Sequence, residues 1–372
     1  METLLSPQNP SEEVNKDENE ILYFSINQEY NCISIGTKAG FKIFSLDPFQ
    51  LLYENACGPI NIAEMLNTTN LILLVGLTEM GDLSPKKVTI WSTSTNIVLC
   101  SSYPFSGKIN IAKINKQRMV IGERNFLHIY STNDMEILHT IDIGIVNLGK
   151  LVLSPNSEKN IWVCFSSSND EGVVKVYDTL QLTMKVCIKA HKSPILKMCL
   201  NAEGDKLATC SCKGTIIRIF SLPKGEKILT FKRGISSAFI FCLNFSIDSE
   251  KLISSSDTGM LHVFDLKQEN EEHEQSKGVS KFFSRIFVTV AAKIMPKDYE
   301  DSFGTQGASI VFHGDLMKIS NVVSFNPKNP KEAFCFTSDG LYYLFSINYQ
   351  QKEINKIYER NMKDLRIVAS EI

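Results

Sequence analysis

A four-residue strand that closes on an aromatic ring returns seven times along this chain, and no other feature of the sequence restricts the fold so tightly. The copies read Phe41-Lys42-Ile43-Phe44, Val88-Thr89-Ile90-Trp91, Leu127-His128-Ile129-Tyr130, Val174-Lys175-Val176-Tyr177, Ile217-Arg218-Ile219-Phe220, Leu261-His262-Val263-Phe264 and Tyr342-Tyr343-Leu344-Phe345. Each is followed by Ser or Asp: Ser45, Ser92, Ser131, Asp178, Ser221, Asp265 and Ser346. The closing aromatics are 47, 39, 47, 43, 44 and 81 residues apart, and propeller blades of the WD-repeat type run ~40–45 residues. The copies alternate in the manner of strands with one buried face. Gly40, Gly172, Gly214, Gly259 and Gly340 precede five of them, as tight hairpin turns require. One blade alone cannot cover both faces of its sheet, whereas blades stacked about an axis cover each other. The expectation is a single closed, all-β, seven-bladed β-propeller over residues 21–360. The step of 81 holds no further strand-turn-strand pattern, so an eighth blade is not expected.

Composition narrows the function. With 43% apolar and 22% charged residues the chain can bury a sizeable core. A formal net charge of −2 argues against a nucleic-acid binder, so any anion site must be local. The ten cysteines form no CxxC pair. Cys210 and Cys212, two apart, would share a strand face, and the set reads as small buried hydrophobes of a reducing compartment. Residues 1–20 carry Glu2, Glu12, Glu13, Asp17, Glu18 and Glu20 against Lys16 alone. They read as an acidic flexible tail with no secretory n-region, and residues 361–372 as a C-terminal tail. No apolar run reaches the ~18 residues of a bilayer span, so a soluble protein is expected. No metal-ligand cluster, nucleophile elbow or P-loop is found, so neither an enzyme nor a cofactor is expected.

The last step exceeds a normal blade by roughly 38 residues, an insertion starting after blade six at about Lys267 and spanning 268–307. Its first part, Gln268 to Gln275, is polar. From Lys281 to Met295 the character changes. On a helix, Phe283, Ile286, Phe287, Val290 and Ile294 share one face, with Lys281, Ser284, Arg285 and Lys293 opposite. A basic amphipathic segment in a long loop suits membrane insertion, with Phe282, Phe283, Ile286, Phe287 and Val290 as the inserting residues. The alternatives are that it packs on the propeller side or forms a β-hairpin.

Blade five ends on the outer-strand pattern Gly225 to Thr230, followed by Phe231-Lys232-Arg233-Gly234. Adjacent residues of an extended segment point opposite ways, so Lys232 and Arg233 could face two neighbouring blades and serve two anion pockets. Taken alone, a basic pair in a loop is ordinary solvated surface. Here the blades on either side offer phosphate donors. Blade five carries His191, Thr209, Ser211, Thr215 and Arg218. Blade six carries Ser254, Ser255, Ser256, Thr258 and His262. In WD repeats a histidine placed like His191 often joins a structural network with Asp and Trp. Cys212-Lys213 stands where the Asp would lie and Phe220 replaces the Trp, which leaves His191 open to a ligand. His128 has no such company and reads as structural.

Three stretches now carry a family resemblance: Ala190-His191-Lys192-Ser193-Pro194, the run from Leu207 to Phe220, and Phe231-Lys232-Arg233-Gly234. Met135 to Ile141 in blade three adds to them. Over about residues 20–350 the chain resembles the PROPPINs, the phosphoinositide-binding propellers that include the WIPI proteins of autophagy. The family's run is Phe-Arg-Arg-Gly. Lys232 departs from it, keeping the charge and losing the planar fork. The resemblance implies recognition of phosphatidylinositol 3-phosphate and phosphatidylinositol 3,5-bisphosphate at two rim sites. Site one would use His191, Thr209, Ser211, Thr215, Arg218 and Lys232, and site two Arg233, Ser254, Ser256, Thr258 and His262. It also implies that the blade-six loop enters the bilayer of preautophagosomal, endosomal or vacuolar membranes. Autophagy or trafficking partners would be recruited by a monomer through blades two and three. There the candidates are Thr78 to Pro85 and the basic group Lys113, Lys116 and Arg118. The competing reading is a propeller scaffold for protein partners without lipid specificity.

Overall fold

The computed structural model of the chain describes residues 19–144, 150–155, 158–166, 172–267, 306–307, 310–314 and 318–362. Seven antiparallel sheets follow one another along the chain, over residues 21–55, 60–101, 111–142, 151–191, 195–232, 240–313 and 321–361. Each has four strands of its own laid in sequence order from the axis outward. The seven repeated aromatic segments lie in the third strands, as in blade five, whose third strand is Ile216–Ser221. The expected seven-bladed propeller is the observed fold.

The alternation in those strands has a different meaning from the one expected. Thr89, Arg218, His262 and Tyr343 occupy the polar phase of the pattern, yet all four are buried. Both faces of every blade pack against neighbours, so a polar side chain on an inner strand is enclosed and must find partners. Cys210 and Cys212 also part company, because the strand Lys206–Ser211 ends between them; Cys210 is buried and Cys212 exposed.

Among the described residues no strand is exchanged between the first and last blades. The ring closes on a side-chain seam in which Ile33, Ile35, Phe44 and Phe49 meet Phe334, Phe336 and Tyr342. The Phe49 and Tyr342 rings stack across it, 16° apart in plane. Each of these buried side chains contributes about 1.5–3 kcal/mol by leaving water.

The long insertion begins inside blade six rather than after it, between the third strand Met260–Asp265 and the outer strand Ile310–His313. The segment Lys281 to Met295, with the inserting residues Phe282, Phe283, Ile286, Phe287 and Val290, lies outside the described residues, as do most of both expected tails. The returning leg is described at Gln306–Gly307. It adds to the outer edge of blade five as a short parallel strand, Gln306 opposite Phe231 and Gly307 opposite Lys232. The insertion therefore comes back past the basic pair before it completes blade six.

Candidate functional site

His191 is the last residue of the outer strand of blade four, Thr183–His191, not part of blade five as expected from sequence. From that edge it reaches the second and third strands of blade five. Thr209 and Arg218 are direct cross-strand partners there. Arg218 Nη1 donates to the Ala190 carbonyl and to His191 Nδ1, both at 2.8 Å. A guanidinium only donates, so Nδ1 accepts and the imidazole carries its proton on Nε2. Nε2 then donates to Thr209 Oγ1 at 2.9 Å, and the threonine hydroxyl donates to the Arg218 carbonyl at 3.4 Å. Three of the six residues expected at site one thus form a closed relay across the junction of blades four and five.

Ser211 lies two residues beyond Thr209 on the same strand and is buried. The turn that follows is tight: Gly214 has φ +62°, and a Cβ there would meet the Ala238 carbonyl oxygen at 1.9 Å. Thr215 stands beside it, and its carbonyl accepts the Arg233 N–H at 2.9 Å. Lys232 and Arg233 do diverge. Lys232 ends the outer strand of blade five with its side chain exposed, whereas Arg233 is only 7% exposed. Arg233 Nε donates to the Gly214 carbonyl at 2.8 Å, and Nη2 donates to the Ser236 carbonyl. Its guanidinium clamps blade five's own turn instead of reaching a side chain of blade six. Burial pushes its pKa below the usual value, while the charge of Asp257 pulls the other way.

Blade six repeats the frame of blade five. Ser254 and His262 are cross-strand partners in the positions of Thr209 and Arg218. Ser256 follows Ser254 as Ser211 follows Thr209, and its hydroxyl lies 2.8 Å from that of Thr258. The His262 ring lies parallel to that of Phe264. The Ser254 and Ser255 hydroxyls are fully buried and make no hydrogen bond among the described residues.

Sequence reasoning passed over Asp257, which stands between two chosen residues, Ser256 and Thr258. It pairs with Phe239, accepting the Phe239 N–H on Oδ1 at 2.9 Å, and it brings negative charge to the approach of site two. The basic group proposed for protein partners does not hold together either. Lys113 lies on the innermost strand of blade three, its Nζ 2.5 Å from Glu64 and hydrogen-bonded to Tyr23. Lys113 and Glu64 line the axial channel, a cavity of about 290 Å³. Arg118 Nε donates to the Thr179 carbonyl at 2.9 Å, tying blade three to blade four, while Lys116 is exposed. The segment Thr78 to Pro85 folds on itself through the Met80–Leu83 bridge, leaving Met80 exposed and Leu83 buried.

Comparison with known proteins bears on this arrangement. The PROPPIN family model matches residues 21–359. Autophagy-related protein 18 of Dictyostelium discoideum is 38% identical over 244 residues, covering 66% of this chain and 64% of that one. WD repeat domain phosphoinositide-interacting protein 2 of Mus musculus is 30% identical over 89% of this chain and 75% of its own length. Among solved structures, Kluyveromyces lactis Hsv2 superposes with a TM-score of 0.73 at 20% identity, over 92% of this chain and 99% of that one. A complex of KlAtg21 with the coiled coil of AgAtg16 matches at a TM-score of 0.70 and 20% identity.

Proposed function

The chain belongs to the PROPPIN family, and from that premise we propose that it is a phosphoinositide-binding peripheral membrane adaptor. It recognises phosphatidylinositol 3-phosphate and phosphatidylinositol 3,5-bisphosphate at two sites flanking Lys232 and Arg233. The insertion of blade six enters the bilayer beside them. The observation that supports this most is the relay of Arg218, His191 and Thr209 next to exposed Lys232: guanidinium, imidazole, hydroxyl and ammonium, the donor set that phosphate oxygens select, gathered at one blade junction. At site two the buried hydroxyl of Ser254 makes no hydrogen bond among the described residues and is a donor open to an acceptor.

Two headgroup pockets and an apolar insertion act as linked weak anchors. A single one holds a membrane marginally, and linkage raises the effective concentration of the others. The membranes served are those displaying 3-phosphorylated inositides in autophagy and endosomal or vacuolar traffic. Protein partners dock on blades two and three, where Ile97, Leu99 and Tyr103 are exposed, Tyr103 at 94%. The coiled coil bound by the KlAtg21 neighbour is a precedent for such a partner.

The test is co-sedimentation with liposomes across a phosphoinositide panel, wild type against the Lys232→Ala/Arg233→Ala double variant. Binding selective for 3-phosphorylated lipids and lost in the variant is expected. Unchanged sedimentation of a folded variant would sink the proposal. Thermal denaturation is run alongside, because Arg233 also holds the Gly214 turn.

A further inference from the structure

Blade three carries the same cross-strand frame as blades five and six, with Ile121 where they have Thr209 and Ser254 and with Glu123 where they have Ser211 and Ser256. His128 pairs across strands with Ile121, as Arg218 pairs with Thr209 and His262 with Ser254. Two residues beyond Ile121 stands Glu123, at the position of Ser211 and Ser256. It is 4% exposed. Its Oε2 accepts the Gly107 N–H at 2.7 Å and the Ser106 hydroxyl at 2.9 Å, both from the connector out of blade two. Its Oε1 accepts His128 Nε2 at 3.1 Å, and His128 Nδ1 lies 3.0 Å from Thr140 Oγ1. Burial opposes ionisation of Glu123, but the bonds from His128, Gly107 and Ser106 outweigh it and hold the carboxyl below the usual range. A buried anion is therefore already seated among an amide, a hydroxyl and an imidazole, which are the donors a phosphate takes.

We infer that blade three contains a third anion pocket filled by the chain's own Glu123 carboxylate, and that Glu123 is the residue confining phosphate recognition to blades five and six. Where those blades have a small hydroxyl, Glu123 sets both bulk and like charge against an incoming phosphate. Vacated, the pocket takes a phosphate monoester. The contrast with blades five and six rests on the function proposed above; the donors around Glu123 are observed independently of it.

The experiment follows the ring signals of the six histidines by NMR in full-length wild type, Glu123→Ser, Glu123→Thr and Glu123→Gln. Inorganic phosphate is the titrant, with chloride balancing ionic strength, and His128 is assigned by its loss on His128→Ala. In the Ser and Thr variants the His128 signal should move and saturate at a phosphate concentration at least tenfold below any response in wild type. Gln fills the same volume, so its His128 should stay still. A stationary His128 in the folded Ser or Thr variant overturns the inference, and so does a moving one in wild type or the Gln variant. If the Ser and Thr variants do not fold in chloride, refolding on phosphate supports the pocket and failure to refold overturns it. Loss of the lipid proposal in the sedimentation test would leave this result standing, because the titrant is free phosphate and the reporter is in blade three.

Discussion

Blades five and six place the same kinds of residue at the same two cross-strand positions and treat them in opposite ways. In blade five, Thr209 and Arg218 are laced to the preceding blade by His191, and every bond in the relay is made before any ligand arrives. In blade six, Ser254 and the adjacent Ser255 are enclosed with hydroxyls that bond to nothing among the described residues. A buried polar group left unsatisfied costs about 1–3 kcal/mol, whereas a typical intramolecular hydrogen bond returns about 1 kcal/mol net. Blade five is therefore a finished structure in which an anion must compete with existing bonds. Blade six holds, at Ser254, a donor that an anion would relieve. The contrast assigns rigidity to the first site and responsiveness to the second.

The largest effect should come from Arg218→Ala, which removes two hydrogen bonds from a charged donor at about 1.5–3 kcal/mol each. A loss of roughly 3–5 kcal/mol in urea denaturation is expected, together with loss of headgroup binding at blade five. Stability close to wild type would show that the relay is not the strut described.

Next come two substitutions whose signs should differ. Thr209→Ala breaks the bond from His191 and should cost about 1 kcal/mol. Ser254→Ala removes a hydroxyl with no partner and should be neutral or stabilising by about 1 kcal/mol, while weakening headgroup binding measured by calorimetry. If both destabilise equally, the two blades are not the opposites claimed.

Asp257→Asn keeps the acceptor for the Phe239 N–H but removes a charge that acts on Arg233. Headgroup affinity at blade six should rise severalfold, on the order of 1 kcal/mol for an exposed charge, and the gain should shrink with added salt. The smallest change is expected from Lys232→Arg, which restores the forked donor at an exposed position. Less than about 1 kcal/mol in headgroup affinity is anticipated, with sharper selectivity at blade five.

The ring was legible because each third strand must present large apolar residues at fixed spacing, and seven copies make that period hard to miss. Thr209, Arg218, Ser254 and His262 were legible for a related reason, since polar residues within such strands stand out. Ownership of His191 was not, because the outer strand it ends, Thr183–His191, is largely exposed and its short apolar stripe of Val186, Ile188 and Ala190 stops before His191, leaving the boundary unmarked. The inward turn of Arg233 depends on carbonyls at Gly214 and Ser236, and backbone acceptors carry no sequence signature. The same holds for the Gln306–Gly307 strand, two residues joined to blade five by main-chain bonds. Asp257 was in plain view; what sequence could not supply was its nearness to Arg233, which the connection through Phe239 creates.

The closing seam has a consequence for how the molecule could be re-cut. Because blade one and blade seven each have four described strands of their own, the junction between them is a packed boundary like the other six, and among the described residues no blade depends on a strand from the far end of the chain. The order of blades in the sequence is then a matter of where the covalent path was opened. A circular permutant joined across the seam and opened at the connector between blades one and two should build the same ring. The two proposed headgroup sites would keep their geometry, since all their described residues lie between blade four and blade six.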